Sequence, residues 1–158
     1  MKIKFRLNGK QFERDVDPSR RALDFLRDEM KTKSVKEGCS EGECGACTII
    51  IDGDAVCSCL LLTGELDNKD ILTSEGLGTP ENMHPIQQAF VDSGGVQCGF
   101  CTPGFVLATK ALLDKNPDPD DEQIKKALEG NLCRCTGYVK IIESVKLAAR
   151  LMKESNEK

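Results

Sequence analysis

The chain opens on alternation. Ile3, Phe5 and Leu7 occupy every second position, Asn8-Gly9 interrupts, and Phe12, Arg14 and Val16 resume the period of two. Side chains of a strand point to opposite faces in turn, and Asn-Gly supplies the left-handed backbone of a tight turn, so residues 1–17 predict a β-hairpin. From Arg20 to Asp28 the period lengthens. Leu23 and Leu26 share one side with Phe25 beside them, after a Pro18-Ser19 start signal, and a short helix is expected. A second hairpin is read at 49–51 and 55–57 around Asp52-Gly53, and Ile71-Leu72 supplies a last short strand. Two hairpins packed by one helix make a small α+β domain.

Past residue 73 the pattern changes character. The stretch "TSEGLGTPENMHP" is rich in Gly, Pro and polar residues, and beyond it apolar residues recur at helical spacing. Helices are expected at about 85–93, 103–115, 119–129 and 137–153. The last is the clearest, with Tyr138, Ile141, Ile142, Val145, Ala148, Ala149 and Met152 at gaps of three and four. Leu147 and Leu151 fall outside that stripe, which implies a wide buried face or a contact with another chain. The expectation is therefore two domains, 1–76 rich in strands and 77–158 helical.

Length and charge narrow the function. A chain of 158 residues can bury a real core in one ordinary domain or two small ones. A formal net charge of −4 with no basic run argues against nucleic acid or an anionic membrane surface as partner. The N-terminal residues offer no uninterrupted apolar stretch for a signal peptide or membrane span, so a cytoplasmic protein is expected. Nine cysteines in such a chain are poorly explained as disulfides, because the cytosol keeps most thiols reduced. Metal is the better account, and an odd count leaves one thiol spare if each site uses four.

The first group is Cys39-x4-Cys44-x2-Cys47, the spacing of plant-type [2Fe–2S] ligation, with Cys59 as fourth ligand. An iron–sulfur cluster is anionic and needs backbone N–H groups aimed at its sulfurs. Gly38, Gly42 and Gly45 allow the chain to curl tightly enough to do this, which a helix could not. The second group is Cys98-x2-Cys101 and Cys133-x-Cys135, with 31 residues between the pairs. Two helices of similar length joined at "NPDPD" would run out and back and return Cys133 to the neighbourhood of Cys101. Thr102 is read as the cap of the first, with Pro103 opening it; Asp118 and Pro119 start the second, and Gly130-Asn131 end it. Thr136 likewise follows Cys135 as a helix start. Two helix N-termini facing thiolates would each favour an anionic centre by ~0.3–1 kcal/mol, and Arg134 adds to them. Four thiolates in close pairs also suit zinc, and spacing alone leaves that alternative open, more so for the second group.

Other residues draw plainer readings. Cys57, beside Ser58 and Cys59 on an apparent strand, reads as a buried structural thiol, and as the substitute ligand should Cys59 not serve. His84, the sole histidine, precedes Pro85 at a helix start and reads as a capping or solvent-facing residue. Glu37, Glu41 and Glu43 read as a solvated turn. Phe100, Phe105 and Tyr138 could shield the second group from water, although helix-core packing explains them equally.

With both groups placed, "GCSEGECGACTIIIDGDAVCSCL" and "QCGFCTPGF…NLCRCTGY" resemble the iron–sulfur subunit of the molybdenum hydroxylase (xanthine dehydrogenase/aldehyde oxidase) family. The resemblance runs from the first hairpin to about residue 150. It implies an α+β chain with an N-terminal β-grasp ferredoxin domain followed by a four-helix-bundle domain, each holding a [2Fe–2S] cluster. It implies Cys39, Cys44, Cys47 and Cys59 as ligands of the first cluster, and Cys98, Cys101, Cys133 and Cys135 as ligands of the second. It places Gln97 and Cys135 near the molybdopterin of a large partner subunit, and the first cluster toward the FAD of a medium subunit. The implied role is an electron-transfer subunit without a substrate site, in a hetero-oligomer that could be a dimer of heterotrimers. The complex would oxidise a purine, another N-heterocycle or an aldehyde. Cys57 is not required by the family pattern. A free-standing two-cluster ferredoxin is the alternative.

Overall fold

A computed structural model describes residues 1–156. The alternating N-terminal stretch forms the hairpin β1 (Lys2–Leu7) and β2 (Lys10–Asp15), turned by Asn8 and Gly9, both at positive φ. Then come α1 (Ala22–Asp28), the hairpin β3 (Thr48–Ile51) and β4 (Asp54–Cys57), and β5 (Asp70–Leu72). The sheet order is β2-β1-β5-β3-β4. The last short strand slots between the two hairpins, parallel to β1 and antiparallel to β3, so one three-residue strand joins two otherwise separate ribbons.

One face of this sheet carries Ile3, Phe5 and Leu7 against Leu23, Phe25 and Leu26 of α1, with Ile49, Leu66 and Ile71 completing the core. Burying each such side chain contributes ~1.5–3 kcal/mol. The helix starts two residues later than its sequence pattern suggested. Arg21, in extended conformation, precedes Ala22 without a side-chain cap, and Ser19 bonds to Asp17 instead.

The second half holds α2 (Pro85–Asp92), α3 (Thr102–Lys115), α4 (Asp121–Leu128) and α5 (Val139–Asn156). His84 caps α2: its Nδ1 accepts from Ile86 N at 3.2 Å while Gln87 accepts from His84 N at 3.0 Å. Asp120, not Asp118, caps α4, accepting from Gln123 N at 2.8 Å. Leu147 and Leu151 pack against the helical core, so the wide buried face on α5 is met within the chain. Among the described residues no helix is long and apolar enough to cross a membrane.

The two halves meet along α3. Because strand side chains alternate, Ile49 enters the α1 core while Ile50 faces the other way and packs on Leu107 and Ala111 of α3. β3 is thereby covered on both faces, which explains its unbroken Ile run. This placement brings the loop before β3 and the loop before α5 side by side.

Candidate metal centres

Residues 38–47 carry Cys39, Cys44 and Cys47 on a loop without regular structure. Its curl is made by left-handed backbone at Ser40, Gly42 and Gly45, with φ of 59°, 77° and 69°. A Cβ at Gly38 would lie 2.6 Å from Cys44 Sγ, so a larger residue there would intrude on the thiols. The curl aims N–H groups as a sulfur pocket requires: Glu41, Glu43 and Cys44 each donate a backbone N–H to Cys39 Sγ at 3.4 Å. Those donors bring the Cys39 thiol down to about 7. The loop is braced from α1 by Arg21, which donates to Glu37 at 2.9 Å and to Ser40 at 3.0 Å. Glu37, read from sequence as a solvated turn, is thus a structural anchor.

Cys47 and Cys59 are buried, Cys59 on the 3₁₀ turn Ser58–Leu60 that follows β4. Burial, with contact from the Cys47 thiol, pushes Cys59 up to about 11. Cys47 is raised further, by the neighbouring Cys57 thiol and by burial. These are the states of free thiols. A cation in the pocket would compensate the charge that burial opposes, as thiolate–metal bonding requires.

The second group lines an open pocket of about 430 Å³ formed by Cys98, Cys101, Cys133 and Cys135 with Phe100, Leu132, Arg134 and Tyr138. Cys98 and Cys135 are exposed and Cys101 and Cys133 lie deeper. Gln97 is exposed at the same edge. Burial and the Cys133 contact push Cys101 up to about 12.

Two capping expectations fail here. Cys101, not Thr102, is the cap residue of α3, and the Thr102 hydroxyl is buried without a partner. α5 begins at Val139, because Gly137 and Tyr138 take left-handed backbone that a helix excludes. Thr136 is left free to serve the sulfur: it donates to Cys133 Sγ from its hydroxyl at 3.1 Å and its N–H at 3.4 Å. Burial raises the Cys133 thiol, but these donors and the Cys135 N–H outweigh it and bring the group below its ordinary value. Phe105 is core, and Tyr138 instead accepts from Cys133 N at 3.0 Å through its hydroxyl.

Across all these sulfurs one pattern recurs. Side-chain contacts join Cys39 to Cys44, Cys47 to Cys59, Cys101 to Cys133, and Cys98 to Cys135. Among the described residues no three His, Cys, Asp or Glu side chains close round one point as a single ion needs. Cys47 also touches Cys57; the other contacts join the thiols two by two, an arrangement that suits a binuclear centre in which each metal takes a pair.

The two groups also touch. Leu132 N donates to Cys44 O at 2.9 Å, and the buried Asn131 amide donates to Gly45 O at 3.1 Å and to Thr48 Oγ1 at 3.3 Å. Gly104 of α3 lies against the Gly45 carbonyl so closely that a Cβ would overlap it. Asn131, Gly104 and Thr136 were not singled out for these roles by their local sequence, because their partners lie far along the chain or replace an expected cap.

Comparison with known proteins agrees with this organisation. The family described as "2Fe-2S iron-sulfur cluster binding domain" matches residues 5–76, and "[2Fe-2S] binding domain" matches residues 73–146. The chain is 53% identical over 146 residues to the nicotinate dehydrogenase small FeS subunit of Eubacterium barkeri, covering 92% of this chain and 93% of that one. Among solved structures, quinoline 2-oxidoreductase from Pseudomonas putida 86 superposes with a TM-score of 0.92 at 36% identity, covering 98% of this chain and 96% of that one. The aldehyde oxidoreductase of Desulfovibrio gigas superposes with a TM-score of 0.95 at 40% identity over 98% of this chain, which spans 17% of that longer chain.

Proposed function

The chain belongs to the iron–sulfur subunits of the molybdenum hydroxylase (xanthine dehydrogenase/aldehyde oxidase) family, and from that premise we propose which of its residues hold the two [2Fe–2S] clusters. Cys39, Cys44, Cys47 and Cys59 take the first and Cys98, Cys101, Cys133 and Cys135 the second, within domains 1–76 and 77–158. The observation that carries this is the convergence of each group's sulfurs, Cys39 with Cys44 and Cys47 with Cys59 in the first, and Cys98, Cys101, Cys133 and Cys135 round one pocket in the second. When bound, the clusters supply one-electron storage, which fits an electron-transfer subunit of an oxidoreductase.

The residues around them have separable tasks. The N–H groups of Glu41, Glu43 and Cys44 and the Thr136 hydroxyl stabilise charge on ligand sulfurs. Asn131, Leu132 and Gly104 hold the two cysteine loops at a fixed separation. The exposed edge with Gln97, Cys98 and Cys135, ringed by the exposed apolar Phe100, Leu132 and Val139, is the docking face for a molybdopterin-binding large subunit, with Gln97 and Cys135 nearest the molybdopterin. Exposed Leu60 and Leu62 beside the first group suit a FAD-binding medium subunit. The names of relatives acting on nicotinate and quinoline favour an aromatic N-heterocycle as substrate of the whole complex, bound on a partner.

The test is metal and sulfide analysis of the purified complex with electron paramagnetic resonance after dithionite reduction. About four irons and four acid-labile sulfides per chain and two distinct signals are expected. Zinc in place of iron, or one signal only, overturns the eight-ligand assignment.

A further inference from the structure

Cys57 is the thiol that eight ligands leave over. It closes β4, opposite Thr48 in the sheet register, two residues before Cys59. Cys59 follows on the 3₁₀ turn, and Cys47 Sγ is in contact with the thiols of both Cys57 and Cys59. Cys47 therefore has two neighbours placed to share a metal with it. Filling space beside Ile49 or Val56 would not require a sulfur, still less one aimed at another thiol.

Gly42 distinguishes the two. Its N–H donates to Cys59 Sγ. Its carbonyl oxygen accepts from Cys57 Sγ at 3.7 Å. A single glycine, at φ 77°, thus presents a donor to one sulfur and an acceptor to the other. The arrangement gives Cys59 the backbone donor that a ligand sulfur needs and holds Cys57 beside it through its S–H.

We propose that Cys57 is a reserve ligand of the first cluster, replacing Cys59 opposite Cys47 when Cys59 is missing or displaced. The exchange is balanced without an oxidant. A proton leaves Cys57 as its sulfur binds iron, Cys59 takes one up as its sulfur–iron bond breaks, and no electron is transferred. The proposal rests on the ligand assignment above.

The experiment compares the assembled complex carrying Cys57→Ala, Cys59→Ala or both with the unaltered complex, by iron and sulfide content and by electron paramagnetic resonance. Cys57→Ala should keep about four irons and both signals. Cys59→Ala should also keep about four irons, with the first signal shifted and the second unmoved. The double variant should fall to about two irons and the second signal alone. Should Cys59→Ala fall to two irons as the double variant does, or should the double variant keep four, Cys57 is not a reserve ligand. Cys59→Ser, nearly isosteric, covers a failure of the alanine variant to fold: its first signal must change when Cys57→Ala is added, and an unchanged signal means that serine itself, not Cys57, binds. Failure of the unaltered complex to show two signals overturns the ligand assignment instead, so the two failures are told apart.

Discussion

Replacing Asn131 by alanine removes the polar joint between the two cysteine loops. The side chain is 6% exposed, and its amide makes two buried hydrogen bonds, to Gly45 O and Thr48 Oγ1. Each such bond contributes ~0.5–1.5 kcal/mol net. The acceptor is not orphaned by the change, because Gly45 O also receives the Thr48 N–H at 3.1 Å and the Thr48 hydroxyl at 2.6 Å. No full desolvation penalty therefore adds to the loss, and the expected cost is ~1–3 kcal/mol. For a chain of this length that lowers Tm by ~2–12 °C. Asn131→Asp should cost more than alanine, since it sets a carboxylate against the Gly45 carbonyl oxygen with only the Thr48 hydroxyl as possible donor. Scanning calorimetry of wild type and both variants decides the matter. A midpoint unmoved by alanine, or an aspartate variant as stable as wild type, would refute the claim that this amide joins the halves.

Gly104→Ala should destabilise even though alanine gains ~1 kcal/mol in helix propensity, because its Cβ must displace the Gly45 backbone; a raised midpoint in the same calorimetric scan contradicts this. Thr136→Val removes the hydroxyl donor to Cys133 Sγ and should lower the reduction potential of the second cluster by ~20–60 mV, the one-electron equivalent of a hydrogen bond worth ~0.5–1.5 kcal/mol. Potentiometric titration followed by paramagnetic resonance reads that shift, and a move of the first cluster's potential instead would show the ligand groups interchanged. Burial raises the Glu75 carboxyl, but the Ser34 hydroxyl and N–H and the Thr73 hydroxyl outweigh it and hold the group below the ordinary carboxylate range. A depressed value in the folded state stabilises above the unfolded value of ~4.3 and is lost as pH falls through the folded one. Glu75→Gln should thus be less stable than wild type at pH 7 and converge with it in acid; a gap that persists at low pH excludes the carboxylate as its cause.

What the sequence disclosed was whatever repeats locally. Alternation at Ile3, Phe5 and Leu7 and the Asn8-Gly9 turn specify the first hairpin because period and turn chemistry act within a few residues. The spacing of Cys39, Cys44 and Cys47 is equally local. The insertion of β5 between the hairpins was not legible, since Ile71 and Leu72 look alike whether at a sheet edge or at its centre. Thr136 followed the rule that a threonine before an amphipathic run caps a helix. The structure departs from it because Gly137 and Tyr138 turn the chain left-handed, and a hydroxyl freed from capping is available to a thiol. Asn131 looked like a helix terminator after Gly130. Its partner at Gly45 lies 86 residues away, and no window short enough to read a helix end contains both.

That long-range contact bears on why the two domains are a single functional unit. Segments joined by a linker such as 74–84 ordinarily shift relative to one another unless their interface is large or specific. Here the shared apolar patch is small, Ile50 against Leu107 and Ala111 with Leu72 and Leu77, and surface pairs such as Lys115 with Asp54 add little. Specificity comes instead from the buried polar joint, in which Cys44 O accepts from the residue preceding Cys133 and Gly45 O from the residue before that. Hydrophobic contacts alone would tolerate sliding, whereas these two bonds are satisfied at one register only. Cys44 of the first group and the backbone next to Cys133 of the second are therefore fixed to the same hydrogen bond. The separation that governs electron exchange between the groups is set by short-range backbone geometry, not by the linker.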